Sequence, residues 1–283
     1  MPDLIDLALA EDIGSGDITA KFFTKPGATA RAKIVARQKG CLAGIEIAEA
    51  VFRRVDSSLA VKCKKKNGDL FEKNDCVLEV SGNAASILTA ERTALNFLQH
   101  LSGVATLARR FVDEIAGTST QILDTRKTTP GFRSLEKQAA AAGRVRNHRM
   151  GLHDMFLVKD NHLATGLDPA MLQEMIDRAR AAHPEAKLEI EADTLEQVRK
   201  FYTLRGVDFL LLDNMTLEDL REAVRLCPPH IRLEASGGVN LSTVRAIAET
   251  GVHFISIGAI THSAPAVDFG LDFEASCFGN HRE

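Results

Sequence analysis

Aromatics are scarce in the 283 residues, with no tryptophan, one tyrosine and fourteen phenylalanines, so a base-stacking surface is not expected. Strong positive charge is absent as well. The net charge is −3, whereas a nucleic-acid-binding domain is usually strongly basic. No apolar run approaches the roughly 20 residues that span a bilayer. The opening stretch MPDLIDLALAEDIG has neither a basic start nor a long apolar core, so it does not read as a signal peptide. Cysteines are few: 41, 63, 76, 227 and 277 form no CxxC pair and no metal-like cluster, and their odd number reads as reduced thiols. The expectation is a soluble cytoplasmic protein with no nucleic-acid and no membrane partner.

What is there is a globular chain, 45% apolar and long enough for one large domain or two ordinary ones. Its texture changes near residue 110. Before that point ARAKIVARQKG, LAVKCKKK and DCVLEVSG alternate apolar and polar residues and predict half-exposed strands. IEIAEAVFRRV and the long piece from 85 to 117 predict helices, giving an α+β unit. After residue 120, short apolar strands alternate with helical stretches of about 10–15 residues, a βα pattern. The predicted strands are 121–124, 155–158, 187–192, 207–212, 231–235 and 252–257. DTLEQV and MTLEDL each place Thr three residues before Gln or Asp, which predicts capped helix starts. Six βα units fit a parallel barrel or an open parallel sheet.

In both arrangements the C-terminal strand ends share one face, where ligands bind. Thr125, Arg126 and Lys127 follow the first strand; Lys159, Asp160, Asn161 and His162 follow the second. The third ends at Glu191 and the fourth at Asp213 and Asn214. The fifth runs into Ser236, Gly237 and Gly238, and the sixth into Gly258 and Ala259. Residues 126–162 carry eight Lys or Arg against three acids, a local excess in a slightly acidic chain. Arginine's planar fork suits carboxylate and phosphate oxygens, so Arg126, Arg149 and Lys159 predict anion binding. A solvated basic loop is the plain alternative for Arg133, Arg144 and Arg146. EASGGVN reads either as a phosphate cradle, with a following helix N-terminus aimed at the anion, or as a plain turn. Glu191 and Asp213 fit salt bridges, ribose hydroxyls, a divalent metal or a developing positive charge. Together these residues suggest a small acid and a phosphorylated sugar on one rim.

ERTALNFLQHLSGVAT (91–106), LDTRKTTPG (123–131), NHRMGL (147–152), VKDNH (158–162), LLDN (211–214), EASGG (234–238) and IGAITHS (257–263), with LAEDIGSGDIT at the front, resemble the quinolinate phosphoribosyltransferase family in order and spacing. The resemblance implies an N-terminal α/β sandwich, 1–110 joined by the tail at about 267–283, and a C-terminal parallel α/β barrel of about six strands, 111–266. It implies Mg2+-dependent joining of quinolinate to phosphoribosyl pyrophosphate with decarboxylation, in NAD biosynthesis, by a homodimer or higher homo-oligomer with shared active sites. Carried over by motif, Thr125, Arg126, His148, Arg149 and Lys159 surround quinolinate, and Arg92 reaches in from a partner. Lys127, Lys159, Glu191, Asp213, Ser236, Gly237, Gly238, Ile257, Gly258, Ala259 and His262 hold phosphoribosyl pyrophosphate. Lys127, Glu191 and Asp213 are the catalytic candidates, and Glu191 and Asp213 the candidate Mg2+ ligands.

One departure stands out. Where the family runs glycines before NHR, this chain has Arg144 and Val145, which resist backbone angles that glycine tolerates. A reshaped loop is expected, with Arg144 and Arg146 either solvated or turned to the site. A related phosphoribosyltransferase with a different acid acceptor is the alternative function.

Overall fold

The computed structural model describes residues 3–159 and 169–274; Asp160, Asn161 and His162 of VKDNH, and the tail beyond Glu274, lie outside the described residues. The chain forms two compact units. The first holds residues up to 109, 130–144 and from 264 onward; the second holds 110–129 and 145–263.

The first unit is built on an antiparallel sheet of β1 (Thr29–Ala36), β3 (Ala60–Cys63), β5 (Cys76–Asn83) and β12 (Phe269–Phe273), in the order β12-β1-β5-β3. β1 alternates as its sequence demands: Ala30, Ala32, Ile34 and Ala36 are buried, and the residues between them are not. β2 (Gly40–Cys41) and β4 (Leu70–Phe71) form a small second sheet. Helix Ile45–Val55 buries Ile45, Ala48, Val51 and Phe52, one face of a 3.6-residue period. Helix Ala84–Glu114 contributes Ile87, Ala90, Ala94, Leu95 and Leu98 to the same core. The tail strand is bound to this unit by its ladder, Ala32 opposite Phe273 through Ala36 opposite Phe269, and by Phe269 against Phe71, ring centroids 5.1 Å apart.

The expected division placed 130–144 with the barrel, and the fold differs. Helix Arg133–Ala142 packs in the first unit, with Phe132 stacked on Phe97 at 5.7 Å and Glu136 Oε1 2.8 Å from His100 Nε2. Nothing in its composition marks which of two apolar cores it should join.

The second unit is a six-stranded parallel sheet of β6 (Gln121–Leu123), β7 (Met155–Val158), β8 (Lys187–Ala192), β9 (Phe209–Asp213), β10 (Arg232–Ser236) and β11 (Phe254–Ser256), ordered β6-β11-β10-β9-β8-β7. Every ladder is parallel. All six strands or their C-terminal ends line one cavity, which a flat sheet about 24 Å wide could not do, so the sheet curls like a barrel. Among the described residues no ladder joins β6 to β7. The outer edge of β6 instead pairs with Arg146, through Arg146 N–H to Ile122 O and Asp124 N–H to Arg146 O. Both expected caps form: Thr194 and Gln197 make a full capping box, and Thr216 Oγ1 accepts from the Asp219 amide.

Candidate active site

The shared cavity holds about 240 Å3. Thr125, Arg126 and Lys127 enter from the end of β6, Leu157 and Lys159 from β7, and Glu191 from β8. Leu211 and Asp213 come from β9, Glu234 and Ser236 from β10, and Ser256 from β11; His148 and Arg149 complete the wall. Four cations and three acids thus meet in one cavity, all but Arg149 and Glu234 at strand ends that the sequence pattern singled out.

Local structure explains the placement. The Thr125 hydroxyl accepts the Lys127 amide at 3.0 Å, and Thr261 Oγ1 donates to Lys127 O at 2.7 Å, so Lys127 is fixed from both sides of its backbone. Its side chain passes over Gly258, where an added Cβ would come within 2.8 Å of Lys127 Cδ. Gly237 has φ 96°, and a Cβ there would strike Asn214 Oδ1. Asn214 N–H donates to Ser236 O at 2.9 Å, tying the ends of β9 and β10 together.

The electrostatics are those of an anion site with an acidic edge. Arg149 donates from Nη1 to Met155 O at 3.1 Å, and burial followed by the Arg126 charge holds it below the usual arginine value. An anion between the two guanidiniums would relieve both effects. Lys159 Nζ is 2.9 Å from Glu191 Oε2. Carboxylate oxygens of Glu191, Asp193 and Asp213 lie within 4.8 Å of one another, so the hard oxygen donors of a divalent cation are present. Asp193 was not anticipated as a member of that group.

Not every expected residue lines the cavity. Gly237, Gly238, Ile257, Gly258, Ala259 and His262 flank it, and Arg92 belongs to the first unit. The helix expected directly after Gly238 begins only at Val244 and spans five residues, so its N-terminus is not the cradle the motif suggested. At the 144–145 loop, Arg144 takes a left-handed backbone, φ 70°. Val145 is buried, and Arg144 and Arg146 are exposed and absent from the cavity wall. The Arg146 guanidinium lies 5.5 Å from the Phe254 ring centroid, beside a second cavity of about 140 Å3.

That second cavity is lined by Met155, Lys187, Phe209 and Phe254, the first residues of four strands, so it opens at the opposite end of the sheet. His148, Arg149 and Glu234 touch both cavities. His148 Nε2 lies 3.2 Å from Glu189 Oε2 and 3.3 Å from Glu234 Oε2. Burial alone would lower the basicity of this ring, but the two carboxylates outweigh it and raise its pKa to about 10. Burial, then Glu234, raises Glu189. The Arg149 amide lies 2.7 Å from His148 Nδ1, which fixes the ring's orientation against the following residue. Glu189 and Glu234 were not singled out in the sequence, although an acid inside a strand that is buried on both faces is itself a signal.

The chain matches the family models of the quinolinate phosphoribosyl transferase N-terminal domain over residues 17–102 and C-terminal domain over 104–272. It is 39% identical to the chloroplastic, carboxylating nicotinate-nucleotide pyrophosphorylase of Arabidopsis thaliana, covering 96% of this chain and 82% of that one. The solved nicotinate-nucleotide pyrophosphorylase of Francisella tularensis superposes with a TM-score of 0.90 at 36% identity, covering 96% and 95% of the two chains. That of Ehrlichia chaffeensis gives 0.88 at 39%, covering 95% and 97%.

Proposed function

The chain belongs to the quinolinate phosphoribosyltransferase family, enzymes of NAD biosynthesis, and from that membership we propose that its own cavity joins quinolinate to phosphoribosyl pyrophosphate, releasing nicotinate mononucleotide, pyrophosphate and CO2. The observation that carries this reading is the set Arg126, Lys127, Arg149 and Lys159 lining one cavity with Glu191 and Asp213. Two substrates rich in negative charge need such cations, and a reaction that develops positive charge at a sugar carbon needs such acids.

Arg126 and Arg149, with Thr125, His148 and Lys159, take quinolinate and its two carboxylates. Arg92 of a second copy completes that end, in a homodimer or higher homo-oligomer working in the cytoplasm. Lys127, Lys159, Ser236, Gly237, Gly238, Ile257, Gly258, Ala259 and His262 hold phosphoribosyl pyrophosphate, with Glu191 and Asp213 toward its ribose. Glu191 and Asp213 would also hold Mg2+, which supplies charge neutralisation of the pyrophosphate when bound. The quinolinate nitrogen bonds to the anomeric carbon as the bond to pyrophosphate breaks. Glu191 and Asp213 stabilise the positive charge of that transition state, and Lys127 balances the leaving group. The bond from C2 to its carboxylate then breaks, its electron pair stays on C2 beside the cationic nitrogen, CO2 leaves, and C2 takes a proton. No side chain acts as a nucleophile.

Purified protein with quinolinate, phosphoribosyl pyrophosphate and Mg2+ should form nicotinate mononucleotide. Nicotinate in place of quinolinate should not react. Turnover of nicotinate, or of neither acid, would overturn the reading.

A further inference from the structure

Glu189 and Glu234 are acids inside a pocket wall that binds anions. Period two turns Glu189 to the same side of β8 as Glu191, and Glu234 to the same side of β10 as Ser236. They are 0% and 1% exposed; Glu189 Oε1 and Glu234 Oε1 have no hydrogen-bond partner, and Glu189 Oε2 meets His148 at ion-pair distance without hydrogen-bond alignment. Burying such carboxylates is costly, and the cost must be offset by what they hold.

What they hold is His148. Its Nε2 lies within 3.3 Å of both carboxylates, and its own amide donates to Asp124 Oδ1 at 2.7 Å. The other oxygen of the buried Asp124 accepts Asn147 Nδ2 at 2.6 Å. Three buried acids, after β6 and on β8 and β10, therefore grip the turn Asn147-His148-Arg149. Both ring nitrogens of His148 are turned to protein groups, Nε2 to the acids and Nδ1 to the Arg149 amide, and the ring stands between the two cavities.

We propose that Glu189 and Glu234 are positioning residues for the acceptor acid: by gripping His148 Nε2 between them they lock the ring across the sheet interior, and through the His148-Arg149 backbone they aim the Arg149 guanidinium into the pocket. The proposal rests on the reaction given above. Within the quinolinate set it makes His148 the wall and anchor, and leaves the direct carboxylate contacts to Arg126, Arg149 and Lys159. The negative layer behind the wall also offsets the repulsion between Arg126 and Arg149.

The test uses E189Q and E234Q, which keep shape and remove charge, in the full-length protein. Each should raise KM for quinolinate about tenfold, as expected for one lost charged contact, with kcat and KM for phosphoribosyl pyrophosphate within about threefold. Nitrogen-15 NMR of histidine-labelled protein, without substrate, reads the grip separately: the His148 Nε2 resonance should shift in each variant. E189D keeps the charge but shortens the reach, and should weaken quinolinate binding as E189Q does. Equal rises in both KM values, a loss in kcat alone, or an unmoved His148 resonance would overturn the proposal. Wild type that ignores quinolinate would sink the reaction while the NMR still decides the grip. If a glutamine variant fails to fold, the same two readouts on E189D decide it.

Discussion

Lys159 Nζ lies 2.9 Å from Glu191 Oε2, joining a cation after β7 to an acid within β8 across the mouth of the cavity. The lysine side chain is about half exposed and the glutamate nearly buried, so the pair is a restraint on Lys159 more than a source of stability. Removing the acid should act on chemistry. E191Q is expected to lower kcat on the order of 100-fold, as for loss of one group facing transition-state charge. Saturating kinetics check it, and a kcat within threefold of wild type would contradict the role.

Arg149→Ala should weaken quinolinate far more than phosphoribosyl pyrophosphate. Losing a charge-assisted bond in a largely desolvated wall costs about 1.5–3 kcal/mol, or roughly 10- to 150-fold. Separate titrations of the two ligands measure it. Equal losses would mean that Arg149 does not face the acid.

Arg144 has a backbone that glycine adopts without strain. Arg144→Gly should stabilise the fold by up to about 1 kcal/mol, the relief of left-handed strain less the added freedom of the unfolded chain. Val145→Gly should destabilise by about 2 kcal/mol because it empties a buried position. The double variant should change quinolinate KM less than tenfold, since neither residue lines the cavity. Urea unfolding and steady-state kinetics report the two effects separately.

Asp208 accepts the Leu188 amide at 2.8 Å and Lys187 Nζ at 3.1 Å, and pairs with Arg180. Burial pushes its carboxyl up, but the Leu188 amide, Arg180 and Lys187 outweigh burial and hold it below the ordinary value. A depressed carboxylate contributes stability that is present above its unfolded pKa, about 4, and lost as pH falls through its folded value. Asp208→Asn should therefore lower Tm at pH 7, and the gap from wild type should narrow as the pH falls below about 4. A gap that stays constant with pH would remove the charge from the explanation.

Arg92→Ala and Arg126→Ala chains, each inactive, should regain activity when mixed, because one hybrid site would be intact. Verified heterodimers without activity would argue against a shared site.

The six parallel strands were legible because each is a short apolar run ended by polar residues. β9 starts two residues later than expected, at Phe209, although the Asp208 backbone still bonds to Leu188 and Arg232 on the two neighbouring strands. Arg126, Lys127, Glu191, Asp213 and Ser236 were legible as polar groups at or just past strand ends, and Arg149 from the compact NHR motif. Glu189 and Glu234 were not, because they lie inside β8 and β10 rather than beyond the strand ends. The home of helix Arg133–Ala142 was hidden too: an amphipathic pattern shows that a face is buried, not against what. At Arg144 a rule about glycine foretold an unusual backbone, and Arg144 does take a left-handed one while its side chain stays exposed.

The strand Phe269–Phe273 closes one edge of the first unit's sheet, beside a strand that begins at Thr29. A ribosome adding about 5–20 residues per second leaves β1 waiting on the order of ten seconds or longer for that neighbour. During that time β1 has one open edge, able to pair with another nascent chain. Removing residues 269–273 would make this interval permanent. Truncation there should yield aggregates, with the lesion at the start of the protein although the cut is near its end.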